Sequence, residues 1–345
     1  MLDLYASETD LLHTHLGIIP TGGMIERIEA VGPASVPVLG LEMPLELALA
    51  IWPYPLDQSA LETLAGLGYA DISDSGKSAE QKFSHTAKPI ELHVMAAGSD
   101  VFTNHLVIRD FLKGSDEARV RFLQLHPFQN GSPEVLAFLT EARAWWTAFY
   151  GFTPLGMVTQ ALAGFTHPWF FSSGWAIDLF LGRVTRVHHD VDVVVPRSAI
   201  WPLKHHLEAE GWRLVLPLHG KLEPWPPESR QEPDIQIHAH KGGKIIDLLL
   251  TEMDAHIWHY RRDSRITAPA AQALLQTPDG LPYLAPELIL LFKSKNTSVT
   301  GEERPQDGQD FESVLPHMSV MQQAWLRDAL RLTDLENGWL EALAR

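Results

Sequence analysis

Cysteine is absent from all 345 residues, which removes disulfides, thiolate nucleophiles and cysteine zinc sites from consideration. Such a chain can work in a reducing compartment. Positive charge is scarce: 27 lysines and arginines face 43 aspartates and glutamates, for a formal net charge of -16. A surface so acidic repels phosphate backbones, which argues against a bulk nucleic-acid binder and for small cationic substrates. Long apolar runs are missing as well. The most apolar stretch, "VPVLGLEMPLELALAIW", is interrupted by Glu42, Glu46 and prolines, so no membrane span is expected. The N-terminal "MLDLYASETDLL" contains Asp3, Glu8 and Asp10 and no basic start of a secretory signal, so the expected setting is cytoplasmic.

What remains is the composition of a globular protein, 45% hydrophobic and 20% charged, long enough for two domains. In the first half, "LELALAIW" and "IELHVMAA" read as strands. "DQSALETLAGLGY", "FTNHLVIRDFLKGSDEARVRFLQL" and "SPEVLAFLTEARAWWTAFYGF" carry helical spacing, the last with Ser132 and Pro133 as cap and first turn. "YGFTP" breaks the pattern, which places a boundary near Gly151 to Pro154 and domains at 1–150 and 151–345. In the second half, a helix near Leu155 to Ala163 precedes the short strand "PWFF". "SSGWAIDLFLG" reads as a turn entering a helix, "DVDVVV" as a strand and "IWPLKHHLEAEGW" as an amphipathic helix. "PDIQIHAHKGGKIIDLLL" reads as a hairpin turning at Gly242 and Gly243, and the last 60 or so residues read as mostly helical. The expected class is α/β (α+β).

Three acids stand where burial is expected. Strand alternation puts Asp190 and Asp192 on one face of "DVDVVV". Asp247 sits inside the apolar "KIIDLLL", where a lone carboxylate is costly unless paired or bound to a cation. Three strand-borne carboxylates meeting at a sheet edge suit Mg²⁺, which prefers oxygen ligands and substrate phosphates. The alternative is that they are surface acids or partners of nearby arginines. Ser173 and Gly174 open the following helix, and a helix N-terminus favours anions. A phosphate cradle followed by three carboxylates is an arrangement for nucleotidyl transfer.

"GWAIDLFLGRVTRVHHDVDVVV" resembles the signature of the aminoglycoside nucleotidyltransferases, particularly the 2''-type, of the DNA polymerase beta-like superfamily. The glycine turn, "WAIDLFLGR", "TR", His188 and the Asp190/Asp192 pair carry the resemblance, and "YLAPELILLFKSK" with "RPQDGQDFESVLPHM" extends it over roughly 155 to 345. The resemblance implies metal binding by Asp190 and Asp192, with Asp247 completing the site or acting as general base. It further implies triphosphate at Ser173 and Gly174, Arg186 near the phosphates, and a nucleotide role for Lys293. The family usually has two glycines where this chain has Ser173 and Gly174. The implied donor is ATP or another nucleoside triphosphate, and the acceptor a small molecule. The alternative reading is a non-catalytic nucleotide-binding or interaction protein made of two drifted domains.

"IERIEAVGPASVPVLGLEMP", "ELHV" and "HLVIRDFLKGSDEARVRFLQL" resemble GrpB-like proteins, a second group with the nucleotidyltransferase fold. The aspartate expected in the following strand is missing, and Glu46 is the nearby carboxylate, expected out of register. Residues 1–150 therefore read as a catalytically degenerate copy with no acidic cluster at its sheet edge. Other groups read more simply. His238 and His240 share a strand face beside a turn, and Arg261 and Arg262 form a basic patch. His188 and His189 adjoin Asp190, Lys293 and Lys295 suit a helix C-terminus, and Asp307 and Asp310 are expected to cap or pair.

Overall fold

The computed structural model describes residues 2–17, 24–73, 79–125, 132–218, 221–226, 228–229, 233–234, 236–241, 244–295 and 304–344. By its contacts the chain divides into two units. One is Met1–Gly151 with Arg213–Ser229 and His240–Lys244; the other is Phe152–Trp212, Arg230–Ala239 and Ile245–Arg345.

The first unit begins with α1 (Leu2–Leu16), β1 (Ile25–Val31), β2 (Leu45–Ile51), α2 (Gln58–Gly66) and β3 (Tyr69–Asp71). It continues with β4 (Glu80–His85), β5 (Ile90–Ala96), α3 (Asp100–Gly114), α4 (Asp116–Leu125) and α5 (Pro133–Tyr150). Side chains of Asp57, Ser99 and Ser132 accept from backbone N–H groups at the starts of α2, α3 and α5, which supplies partners the helix itself lacks there. The strand order is β1-β2-β5-β4-β3, with β2 and β5 parallel and the other pairs antiparallel. Alternation sorts this sheet into two faces. Leu45, Leu47, Leu49, Ile90, Leu92 and Val94 join Leu12 of α1 and Leu64 of α2 in one core. Ala48, Ala50 and Met95 point the other way and meet Phe102 of α3. Alanines on that face allow α3 to sit close to the sheet.

After residue 151 come α6 (Gly156–Ala161), β6 (Phe170–Phe171), α7 (Ser173–Leu181), β7 (Asp192–Pro196) and α8 (Ile200–Ala209). Strands β8 (Arg213–Leu218), β9 (Lys221–Pro224), β10 (Gln236–Lys241), β11 (Lys244–Met253), β12 (Ile257–His259) and β13 (Thr267–Pro269) follow. The chain then forms α9 (Ala270–Ala273), β14 (Leu274–Gln276), β15 (Pro282–Leu284), α10 (Pro286–Lys293), α11 (Pro305–Val314), α12 (Val320–Thr333) and α13 (Trp339–Ala342). The central strands run in the order β14-β15-β6-β7-β11-β10. Here β6 is antiparallel to β7 and β7 is parallel to β11. The same antiparallel-then-parallel step occurs in β1-β2-β5, so both halves centre on one strand arrangement. Each is a mixed sheet with flanking helices, and the C-terminal part is helical, an α+β architecture.

Gly242 and Gly243 lie outside the described residues, but the strands they were expected to join are neighbours. Among the described residues, no helix is long and apolar enough to cross a membrane.

Candidate active site

The chain passes from Phe171 at the end of β6 into α7 through Ser172 alone, so the turn is tight. Ser173 takes φ of 53°, the one non-glycine residue with positive φ among those described. An L-residue pays on the order of 1 kcal/mol there, which gives a backbone reason why glycine is the usual choice at this point. Gly174 is required on other grounds. A Cβ at 174 would collide with the His188 ring and the Arg186 guanidinium, so the missing side chain lets both approach the start of the helix.

Ser172 N donates to Asp192 O at 3.0 Å, which ties this turn to the first residue of β7. Asp192 is the register partner of Asp247 on parallel β11. Asp190 precedes β7 rather than lying within it, and Trp175 Nε1 donates to its carbonyl at 2.8 Å. One carboxylate oxygen from each of Asp190, Asp192 and Asp247 lies within 4.8 Å of the others, with Asp190 exposed, Asp192 half-buried and Asp247 buried. The crowding has an electrostatic signature. Burial, and then the charge of Asp190, push the Asp192 carboxyl up to about 7, against the pull of Lys293, the Ser173 hydroxyl and Arg186. Gln236 Nε2 donates to Asp247 Oδ2 at 2.6 Å. His238 Nε2 lies 3.8 Å from Asp247 Oδ1, and burial lowers its pKa although Asp190 opposes this.

The cations are less available than their sequence positions suggested. Lys293, in the last turn of α10, is buried and reaches Asp307 at 2.5 Å and Asp310 at 2.8 Å, both on α11. Arg186 lies 3.4 Å from Asp310. Asp307 and Asp310 thus pair, and they hold the two cations whose fields reach Asp192. Arg261 and Arg262 lie over the Phe292 ring, 5.6 and 5.4 Å from its centre, and Lys295 donates to Thr333 O at 2.6 Å.

One residue was missed. Asp178, fully buried in α7, accepts from Thr185 N at 3.0 Å and Thr185 Oγ1 at 2.5 Å. Its other oxygen lies 2.6 Å from His188 Nε2. Burial depresses the His188 pKa despite this contact, and the ring is held by Asp178 and set against the Trp175 ring, 4.3 Å away centre to centre. Asp178 thereby fixes the loop that carries Arg186. The signal was a carboxylate inside the otherwise apolar "WAIDLFL".

Residues 2–127 match the family model of GrpB protein, and residues 155–268 match that of aminoglycoside-2''-adenylyltransferase. The chain is GrpB-like in its N-terminal half and aminoglycoside nucleotidyltransferase-like in its C-terminal half. The matched residues 155–268 form an aminoglycoside nucleotidyltransferase-like domain. Among solved structures, the antibiotic-resistance factor ANT(2'')-Ia in solution is 19% identical, covering 52% of this chain and 90% of that one, with a TM-score of 0.36. GrpB from Enterococcus faecalis is 15% identical, covering 41% and 88%, with a TM-score of 0.31. The lincosamide antibiotic adenylyltransferase LnuA, lincomycin-bound, is 14% identical, covering 48% and 97%, with a TM-score of 0.34. No curated protein gives a significant match.

Asp190, Asp192 and Asp247 fall inside the adenylyltransferase match, while Lys293, Asp307 and Asp310 lie beyond it. The GrpB-like half carries a polar cluster of its own. Glu46 is directed at a histidine, its Oε2 lying 3.4 Å from His93 Nε2. On the α3 side of the sheet, Glu80 accompanies His93 and His105.

Proposed function

We propose that the nucleotidyltransferase domain transfers a nucleoside monophosphate, AMP from ATP, to a hydroxyl of a small cationic acceptor and releases pyrophosphate. The observation that carries this reading is the convergence of Asp190, just before β7, Asp192, its first residue, and Asp247, the partner of Asp192 on parallel β11. Three carboxylates offer only oxygen donors, the set suited to Mg²⁺. Asp190 and Asp192 would hold the ion, leaving Asp247 to act on the acceptor hydroxyl. Bound there, it would offset triphosphate charge and align the reacting phosphate. Burial first and then the charge of Asp190 raise the Asp192 pKa, and a divalent ion would relieve that repulsion.

The chain's own groups do the rest. The first N–H groups of α7 receive phosphate oxygens at Ser173 and Gly174, where the absence of a Cβ brings the Arg186 guanidinium alongside. Lys293 adds positive field from behind its two aspartates. Asp247, oriented by Gln236, takes the acceptor proton as the hydroxyl attacks. A net charge of -16 draws a cationic acceptor and repels free triphosphate, so nucleotide binding depends on metal. Calorimetry with ATP, with and without Mg²⁺, tests this first. A pyrophosphate-release screen against aminoglycosides and lincosamides then seeks the acceptor. If no nucleoside triphosphate binds in a metal-dependent way, the domain is a non-catalytic scaffold instead.

A further inference from the structure

We propose that the GrpB-like half holds a zinc-type divalent ion on Glu80, His93 and His105, with Glu46 as the support of His93. No residue of this site belongs to the nucleotidyl-transfer site, and the two readings stand or fall separately. The argument begins with alternation. Ala48 pairs with His93 and Ala50 with Met95 across β2 and β5, while Lys82 pairs with His93 across β4 and β5. Glu46, Glu80 and His93 therefore share the face that Ala48, Ala50 and Met95 turn toward α3. His105 comes down onto that face from α3, one turn after Phe102 and Val101.

One ligand atom from each of Glu80, His93 and His105 lies within 4.8 Å of the others, and Lys82 Nζ approaches the second Glu80 oxygen at 3.4 Å. Glu80 Oε1 lies 2.7 Å from His93 Nδ1 and 2.9 Å from His105 Nε2. Two imidazole nitrogens thus converge on a single carboxylate oxygen, where an ion would take the place of the protons between them. His93 is 94% buried by side-chain and backbone surface together, being 6% exposed. Its Nε2 faces Glu46 Oε2 at 3.4 Å. A carboxylate behind the second nitrogen of a ligating histidine fixes the ring and raises its basicity, the usual support of a metal-bound imidazole. Gly32 makes room for it, since a Cβ at 32 would collide with the Glu46 carboxylate.

Two imidazoles and a carboxylate suit Zn²⁺ or a neighbouring transition ion, whereas Mg²⁺ prefers oxygen alone. Two histidines and one glutamate leave a coordination position open. A cavity of about 430 Å³ adjoins the cluster, with Val101, Ile108, Phe122, Leu136 and Leu139 among its walls. Its ligand class is therefore a small molecule with a metal-binding head and an apolar body.

Full-length protein stripped with a chelator and titrated with Co²⁺ alone provides the test. One equivalent should produce visible d–d absorption typical of a four- or five-coordinate nitrogen–oxygen site, displaced by Zn²⁺ and not by excess Mg²⁺. His105 has a 23% exposed side chain, so His105→Ala should stay folded by circular dichroism and lose the band. Glu80→Gln, of the same shape, should also lose it, and Glu46→Gln should weaken Co²⁺ binding by about 10- to 100-fold. Asp192→Asn should keep the band. Absence of the band in wild type, its survival in both His105→Ala and Glu80→Gln, or its loss in Asp192→Asn would overturn the proposal.

Discussion

Asp192 illustrates how much one side chain can be made to carry. Its carboxyl is half-buried beside Asp190 and Asp247, so amide in place of carboxylate removes a repelling charge and a metal ligand together. Asp192→Asn should melt at or above the wild-type temperature without metal, while Mg²⁺-dependent ATP binding falls at least tenfold by calorimetry. Tyr69 gives a pH signature from the other half. Its hydroxyl donates to the fully buried Glu8 carboxylate at 2.7 Å. Burial, then the Glu8 hydrogen bond and charge, raise its pKa above the ordinary tyrosine value. The unfolded chain therefore loses this proton near pH 10 while the folded chain keeps it. This contribution to stability is full below about pH 10 and declines as pH rises further. Thermal melts between pH 8 and 11 should show the decline, and Tyr69→Phe should reduce its slope while costing about 1 kcal/mol at neutral pH.

At the level of elements, the β6–α7 turn and the α10–α11 contact invite opposite outcomes. Ser173 holds φ of 53° in that turn, so Ser173→Gly relieves backbone strain but frees the unfolded chain and removes the hydroxyl facing Asp192. These effects offset one another, so stability should stay within about 0.5 kcal/mol of wild type, measurable by denaturant unfolding. Lys293 joins α10 to α11 through Asp307 and Asp310, all three buried. Lys293→Met leaves two acids facing each other without their cation, and should cost about 3–5 kcal/mol. A melting temperature within a degree of wild type would show that the pair does not bind these helices together. The helices themselves were legible: Ser132 caps α5, and apolar spacing marks α3, α8 and α10. Asp190 was placed on a strand that begins two residues later, because alternation in "DVDVVV" extends past the hydrogen-bonded ladder.

For the whole molecule, the acidic balance sets how substrates arrive. With a net charge of -16, capture of a cationic acceptor should weaken as salt screens the field, within a Debye length of about 8 Å at physiological ionic strength. Raising salt from 50 to 500 mM should therefore increase KM for such an acceptor several-fold while kcat stays near constant; an unchanged KM would rule out long-range attraction. The amino-acid order by itself determined most strands and helices and marked Asp190, Asp192 and Asp247 as candidate acids. Those features rest on local periodicity and on carboxylates standing out within apolar runs, as Asp247 does in "KIIDLLL". Only tertiary structure decided which charges meet. Lys293 looked free to receive phosphate until α11 brought Asp307 and Asp310 to it. Glu80, His93 and His105 come from β4, β5 and α3, and nothing in their separate stretches encodes the register that joins them. That register follows from long-range pairing of strands and the seating of a helix on their alanine-lined face, which no local pattern specifies.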